Sequence, residues 1–492
     1  MDALFDILRR EAPRFGPALA AATLARGLAV TAKDGSLRPI PVTATPVIIE
    51  ERELEHRVNL AALLASAGLK MSRAVLSGAA PGLLLSALSP LERVLAEATW
   101  KSARTLATTR VDFFVGPSGR PSALELNATI PAMQGYSDIA AEAFLEVVGR
   151  HLGLPPDETR ALAARNRPNT PPLLAALLQG FRQARGGVPE RIALLCRRND
   201  AQLTEQRYLC RRFRELGVEA EVVHPDQLSG TDGLYANGRR FDLVYRHLFV
   251  RRLEETDLPG AAFVKALLEK PADPRAVVLN PPASQVEVKA TFALLSQALA
   301  EPALAESAGL SNAELDAIGK AVPWTRTFRR GPSTGPVGEP LGDLVERVAA
   351  EPSRFVLKRS WDYGGRAVFV GHSEGEPSFD ERVRAAYGRN LSWRQLAARC
   401  AEDEVGGGFV VQERVETHPE PHLICHKDRV EPADLYVDFS AYASVGLETP
   451  IPWGGVCRGS MSQIVNIVGG GGVLPLLTGD VARALLAAAR AL

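Results

Sequence analysis

The chain has 492 residues, 46% of them hydrophobic and 23% charged, with 57 basic side chains balancing 57 acidic ones. That length exceeds what one hydrophobic core sustains, so two or three domains are expected. Zero net charge argues against a general binder of nucleic acid or membrane surface, which would carry a basic excess.

Five scattered cysteines, Cys196, Cys210, Cys400, Cys425 and Cys457, read as reduced thiols. The N-terminus lacks a charged-then-apolar signal pattern, and the run LLLSALSPL is interrupted by Pro90 and too short for a bilayer. A cytoplasmic location is expected.

Residues 1–170 read as mixed. PVIIEE is strand-like, LERVLAEATWKSARTLAT has helical spacing, and VDFFVGPSGRPSALELN reads as strand, turn and strand around Pro117-Ser118-Gly119. Arg110 and Asp112 lie two apart on the first strand, and Glu125 and Asn127 two apart on the second, so each pair shares a face. A carboxylate and an amide oxygen on one face suit Mg²⁺; a solvated hairpin face is the plainer reading. RPNTPP (167–172) reads as a linker.

Residues 171–300 read as an α/β unit. RIALLCRR, VEAEVVH and GRRFDLVYRHLF are strands, with the helix LTEQRYLCRRFRELG, closed by Gly217, between the first two. Strand–helix–strand order predicts parallel pairing. SQVEVKATFALLSQALA then reads as a helix carrying Lys289.

Within residues 301–492, RRGPSTGPVGEPL is a Gly/Pro-rich stretch expected to be a mobile loop. FVLKRSWDYGGRAVFVG (355–371) reads as a strand ending at Lys358, a polar turn with Asp362, Gly364 and Gly365, and a second strand. Glycines there let backbone N–H groups approach a ligand, the lysine supplies a point charge, and Asp362 adds a Mg²⁺ ligand. Phosphate, lysine and metal together are what handling ATP requires; a tight hairpin with a surface lysine is the alternative. The helical RVRAAYGRNLSWRQLAARCAED follows. VVQERVE (410–416) reads as an edge strand able to offer backbone groups to an adenine, and LYVDFSAYAS as a further strand. The four glycines of NIVGGGG (466–472) weaken any regular element and suit a loop over a nucleotide, or equally a plain surface loop. Residues 478–492 read as a closing helix. His418, His422, Cys425 and His426 match no strong zinc spacing, and Ser460 and Ser462 lack a nucleophile elbow.

Taken in order, these segments resemble the circularly permuted ATP-grasp ligases, the eukaryotic-type glutathione synthetases in particular. The resemblance runs from about residue 25 to 477. It rests on Arg110/Asp112, Glu125/Asn127, Gln202…Gln206-Arg207, Tyr245-Arg246, Lys289, Lys358…Asp362-Tyr363-Gly364-Gly365, Gln412-Glu413 and Gly469–Gly472. The fold it implies is an α/β (α+β) ATP-grasp, circularly permuted, with an inserted parallel-sheet substrate domain. Residues 1–170 and 301–492 would form the two ATP-grasp parts and 171–300 the insert.

The cofactors implied are ATP and Mg²⁺. The metal would sit on Glu125, Asn127 and Asp362. The nucleotide would meet Lys289, Lys358, Gly364, Gly365, Gln412, Glu413, Val415, Gly470 and Gly471, with Asp438 on the ribose. Gln202, Gln206, Arg246 and Arg110 would hold substrate, and Arg110 and Arg458 would stabilise developing charge. The implied activity joins a small-molecule acid to an amine through an acyl phosphate, with no nucleic-acid or membrane partner; the family's homodimer is left open.

Three departures matter. The third metal carboxylate is Asp362 where the family has a glutamate. The hairpin has two glycines where three are usual. Ile130 and Ala132 stand where glutathione synthetases carry serines for the peptide substrate, which argues against γ-glutamylcysteine. An ATP-binding pseudoenzyme, or a phosphotransferase that stops before ligation, remains the alternative reading; phosphate release that requires an added amine separates the ligase from both.

Overall fold

A computed structural model describes residues 2–490 except 103, 256–257, 271–272, 363 and 468–470. The chain is mixed α/β, and three sheets carry the architecture.

The largest sheet has seven strands in the order Glu420–Cys425, Val42–Thr43, Gly472–Leu474, Gly455–Ser460, Val430–Val445, Leu106–Val115 and Pro121–Asn127. Its first strand also pairs with the start of Val430–Val445, so that end of the sheet curls back on itself. Strands from the first and last thirds of the sequence thus share one sheet. The helix Glu51–Leu76 covers one face, burying Leu54, Leu60, Leu64 and Met71 against it. The helices Asp2–Arg26 and Gln134–His151 pack together and bury Leu4, Leu8, Phe15 and Phe144 in a second core.

The second sheet is parallel, in the order Val277–Leu279, Leu243–Arg246, Arg191–Leu195 and Glu219–Val223. This is the pairing that strand–helix–strand order predicts. The helix between its first two strands in sequence, Leu203–Glu215, stops before Gly217, whose φ of +85° is readily adopted only by glycine. The third sheet is antiparallel, in the order Thr325–Phe328, Phe409–Glu413, Phe355–Arg359 and Val368–Val370.

Several sequence expectations are corrected. The helix predicted across LERVLAEATWKSARTLAT is Pro90–Thr99 alone, started by a Ser89/Glu92 capping box; Leu106 already belongs to a strand. RPNTPP is a buried corner. The backbone N–H groups of Asn169 and Thr170 both donate to Asp138 at 2.8 Å, and Pro171 and Pro172 occupy the first turn of the helix Thr170–Arg185. The helix predicted to carry Lys289 breaks into Ser284–Glu287 and Ala290–Ala298, with Lys289 at the junction. RVRAAYGRNLSWRQLAARCAED divides at Gly388, φ +74°, into Pro377–Tyr387 and Trp393–Glu402. The Gly/Pro-rich stretch near 335 holds a short hairpin, Ser333–Thr334 with Pro340–Leu341. The strand Phe409–Glu413 is internal to its sheet, because partners bond it on both sides. Among the described residues no helix is long and apolar enough to cross a membrane, and all five cysteines are free and buried.

Candidate active site

A cavity of roughly 390 Å³ lies where the three sheets meet. One end is built around Lys358. Register between the strands Leu106–Val115 and Pro121–Asn127 pairs Asp112 with Glu125 but Phe113 with Ala123, so Leu124 is an extra, bulged residue. A bulge leaves its residue without a ladder partner. The Leu124 carbonyl accepts from Lys358 Nζ at 3.1 Å, and Gln412 Oε1 accepts from the same nitrogen at 2.6 Å. Lys358 is 8% exposed, and burial pushes its ammonium down to about 8, with Lys289 adding to the effect and Glu125 opposing it.

Lys289 completes this end. Its backbone N–H donates to the Ser360 carbonyl at 2.8 Å, which the break in the helix permits. Its Nζ donates to the Asp362 carbonyl at 2.6 Å and lies 3.6 Å from Glu125 Oε2. Two lysines, Glu125, Asn127 and Asp362 therefore border one cavity although they come from three distant segments. Gly364 and Gly365 border it with φ values of +67° and +70°. A Cβ on Gly365 would meet Ile464 at 2.4 Å, and Asn466 Nδ2 donates to the Gly364 carbonyl at 2.8 Å. The glycine turn is thereby fastened to the segment leading into the four glycines. Of that run, Gly471 N–H donates to Asn466 O at 2.9 Å, while Gly469 and Gly470 lie outside the described residues, as does Tyr363.

The floor is an ion-pair network on the central sheet. Arg110 donates Nε and an η-nitrogen to the two oxygens of Asp112, at 2.7 and 3.1 Å, and its other η-nitrogen to the Ala132 carbonyl at 2.9 Å. Arg458 donates to Asp112 at 2.8 Å and to Asp438. Burial alone would raise Asp112, but the two guanidinium groups outweigh it and hold the carboxyl below its usual range; burial raises Asp438. Asp438, expected at a ribose, is paired with Arg458 and lends that expectation no support. Gln412 likewise spends its side chain on Lys358 and on Thr325 Oγ1 at 3.1 Å, while Glu413 pairs with Arg354 at 3.1 Å. Glu413 and Val415 still border the cavity.

The other end is lined by Ile130, Ala132, Met133 and Gln202 together with Asp200 and His247. Gln206 and Arg246 do not border the cavity. Gln206 is buried on the helix, and Arg246 donates to the carbonyls of Asn280, Leu248 and Pro281 at 3.2, 2.5 and 3.1 Å. Arg246, expected as a substrate anchor, is engaged instead with these three backbone carbonyls. Burial lowers its guanidinium to about 10. Asp200 and His247 were missed from sequence because a lone Asp after a strand and a lone His carry no spacing signal.

No three carboxylate, imidazole or thiolate groups converge to hold a metal among the described residues. The expected set has only two carboxylates and an amide, and it fits a hard cation in kind. The Lys289 ammonium, between Glu125 and the Asp362 carbonyl, marks their junction as a place for positive charge.

No protein-family model and no curated protein matches the chain. Among solved structures it is similar to a glutathione synthetase-like effector, GSS30, from Globodera pallida in its apo form. The TM-score is 0.58 and the identity 11%, over 95% of this chain and 97% of that one. It also matches a Methylobacillus flagellatus KT protein carrying the name gamma-glutamylcysteine synthetase, at TM-score 0.39 and 12% identity over 87% and 94% of the two chains; a likeness that weak carries no argument. The chain therefore has a glutathione synthetase-like fold.

Proposed function

We propose that this protein is an ATP-dependent carboxylate–amine ligase of the ATP-grasp type, acting on an amino acid or small peptide other than γ-glutamylcysteine. The observation that carries this reading is the meeting of Lys289 and Lys358 with Glu125, Asn127 and Asp362 in one cavity beneath a glycine turn. In this reading residues 1–170 and 301–492 are the two parts of a permuted ATP-grasp, and 171–300 an inserted substrate domain.

The chemistry asked of the residues is mostly positioning and neutralisation of charge, as phosphoryl transfer demands. Lys358 and Lys289 hold phosphate oxygens as point charges. Gly364 and Gly365 present backbone N–H groups where a side chain would obstruct. Val356, Val370, Val415 and Ile464 give the cavity apolar walls suited to a base. Glu125, Asn127 and Asp362 would hold Mg²⁺, which when bound supplies charge neutralisation at the phosphates. The ATP γ-phosphoryl group passes to the substrate carboxylate. An amine then attacks that carbonyl and inorganic phosphate leaves. The interlocked turn and Asn466 segment shield the acyl phosphate from water.

Ile130 and Ala132 both border the cavity, so the apolar residues that the resemblance flags fall inside it. They favour a substrate with a more apolar body. The test is ATP·Mg²⁺-dependent hydroxamate formation in hydroxylamine across the amino acids and dipeptides. Trapped product from one acid supports the reading, and none from any acid overturns it.

A further inference from the structure

His247 is a polar group of the cavity that the reading above leaves unused. It follows the strand Leu243–Arg246 at the C-terminal edge of the parallel sheet, with its backbone N–H on the Leu195 carbonyl at 2.8 Å. Ligands of open α/β sheets gather at that edge. The ring is 3% exposed and borders the cavity beside Asp200 and Gln202. Nε2 lies 3.5 Å from Asp200 Oδ1, while Nδ1 is buried with no hydrogen-bond partner among the described residues.

Asp200 is itself held in place. Its Oδ1 accepts the Gln202 N–H at 2.9 Å, and Arg197 Nε lies 3.8 Å from Oδ2. Burial works to raise its carboxyl, and the His247 ring and the Gln202 N–H outweigh it, so Asp200 stays below its usual range. An imidazole that donates from Nε2 to this carboxylate keeps a lone pair on Nδ1. A buried lone pair with no donor costs free energy unless a ligand supplies the donor.

We propose that His247, oriented by Asp200, is the base that takes a proton from the ammonium group of the incoming amine. The inference rests on the ligase reading. His247 Nδ1 accepts one N–H proton and becomes imidazolium, and the substrate nitrogen recovers its lone pair. That nitrogen forms the C–N bond to the acyl phosphate carbonyl. The C–O bond to phosphate breaks with its electron pair, and the second N–H proton leaves on inorganic phosphate. Asp200, Glu205 and Arg197 are charged or titratable groups around the ring. Asp200 faces Nε2. Glu205, on the helix Leu203–Glu215, acts on the same ring, is raised to about 7 by burial, and keeps Oε2 without a partner. Arg197 opposes them from behind Asp200.

Hydroxylamine separates the two halves of the reaction, because it is uncharged at neutral pH and attacks an acyl phosphate without a base. The acid is the one found by hydroxamate trapping, and the amine is taken from the same amino acids and dipeptides by phosphate release. The His247→Asn and Asp200→Asn variants are compared with the unaltered protein. Amine-dependent phosphate release is expected to fall roughly 100-fold or more in His247→Asn, within the range of general-base catalysis. The loss should shrink as rising pH supplies free amine, while hydroxamate formation persists. In Asp200→Asn the pH at which amine-dependent turnover reaches half its plateau should shift. Amine-dependent release within about threefold of the unaltered protein, or hydroxamate falling in parallel with it, overturns the proposal and leaves the ligase reading standing. An unaltered protein that forms no hydroxamate, or whose phosphate release no amine accelerates, overturns the ligase reading and this proposal with it.

Discussion

Lys358 shows how a single side chain is prepared for phosphate. Its charge is withdrawn from water yet met by two neutral acceptors, the Leu124 carbonyl and Gln412 Oε1. Between about 8 and the ordinary 10.5 the unfolded chain binds a proton that the folded chain does not. This residue's contribution therefore makes stability rise with pH across that window, and the cost of burying the ammonium is complete below it. ATP affinity has the opposite sign, because the neutral amine attracts phosphate less. Affinity for ATP·Mg²⁺ by calorimetry is expected to weaken as pH rises through about 8, and Lys358→Met should flatten that slope. Lys358→Ala is expected to abolish ATP-dependent turnover with the circular-dichroism spectrum intact; near-normal turnover would remove the central assignment. Glutathione precursors should be poor substrates, since Ile130 and Ala132 in the cavity offer no hydroxyl. Phosphate release with γ-glutamylcysteine plus glycine is the check, and a specificity constant above that of every apolar amino acid or dipeptide would refute this.

At the scale of elements, the glycine hairpin works only as half of a pair. The strands Phe355–Arg359 and Val368–Val370 carry a turn whose glycines are left-handed, and the turn is clasped by Asn466 and Ile464. Gly365→Ala adds a Cβ 2.4 Å from Ile464 at a φ that side chains avoid. The variant is expected to keep the fold, because the turn lies outside the cores, and to raise KM for ATP by on the order of tenfold, about 1.4 kcal/mol of lost binding. Steady-state kinetics measure this, and an unchanged KM would show that the clasp does not serve the nucleotide. The hairpin itself was legible from two β-type runs around paired glycines. Its clasp was not, because Asn466 reaches it across a hundred residues of chain.

For the whole molecule, the decisive relation is between Glu125 on the seven-stranded sheet and Asp362 in the turn between two strands of the third sheet. Neither segment alone offers enough oxygen ligands for Mg²⁺. In a structure with ATP·Mg²⁺ bound, the two carboxylates are expected to share one ion, and oxygens more than about 8 Å apart would contradict it, since Mg²⁺ binds oxygen at about 2.1 Å. Both carboxylates border the same cavity, with Lys289 reaching toward each segment.

The sequence alone was enough for part of what depends on neighbours in the chain. Alternation placed Glu125 with Asn127 and Arg110 with Asp112, strand–helix–strand order predicted the parallel sheet, and paired glycines marked the turn after Lys358. Tertiary structure alone decided whatever depends on partners brought from elsewhere. The bulge that turns the Leu124 carbonyl toward Lys358, the withdrawal of Arg246 onto three carbonyls, the pairing of Asp438 with Arg458 and the meeting of His247 with Asp200 all depend on how strands pair and pack. A side chain's type states what it can bond. Burial and the competing partners within reach decide which bonds it makes, and only the packed fold supplies those.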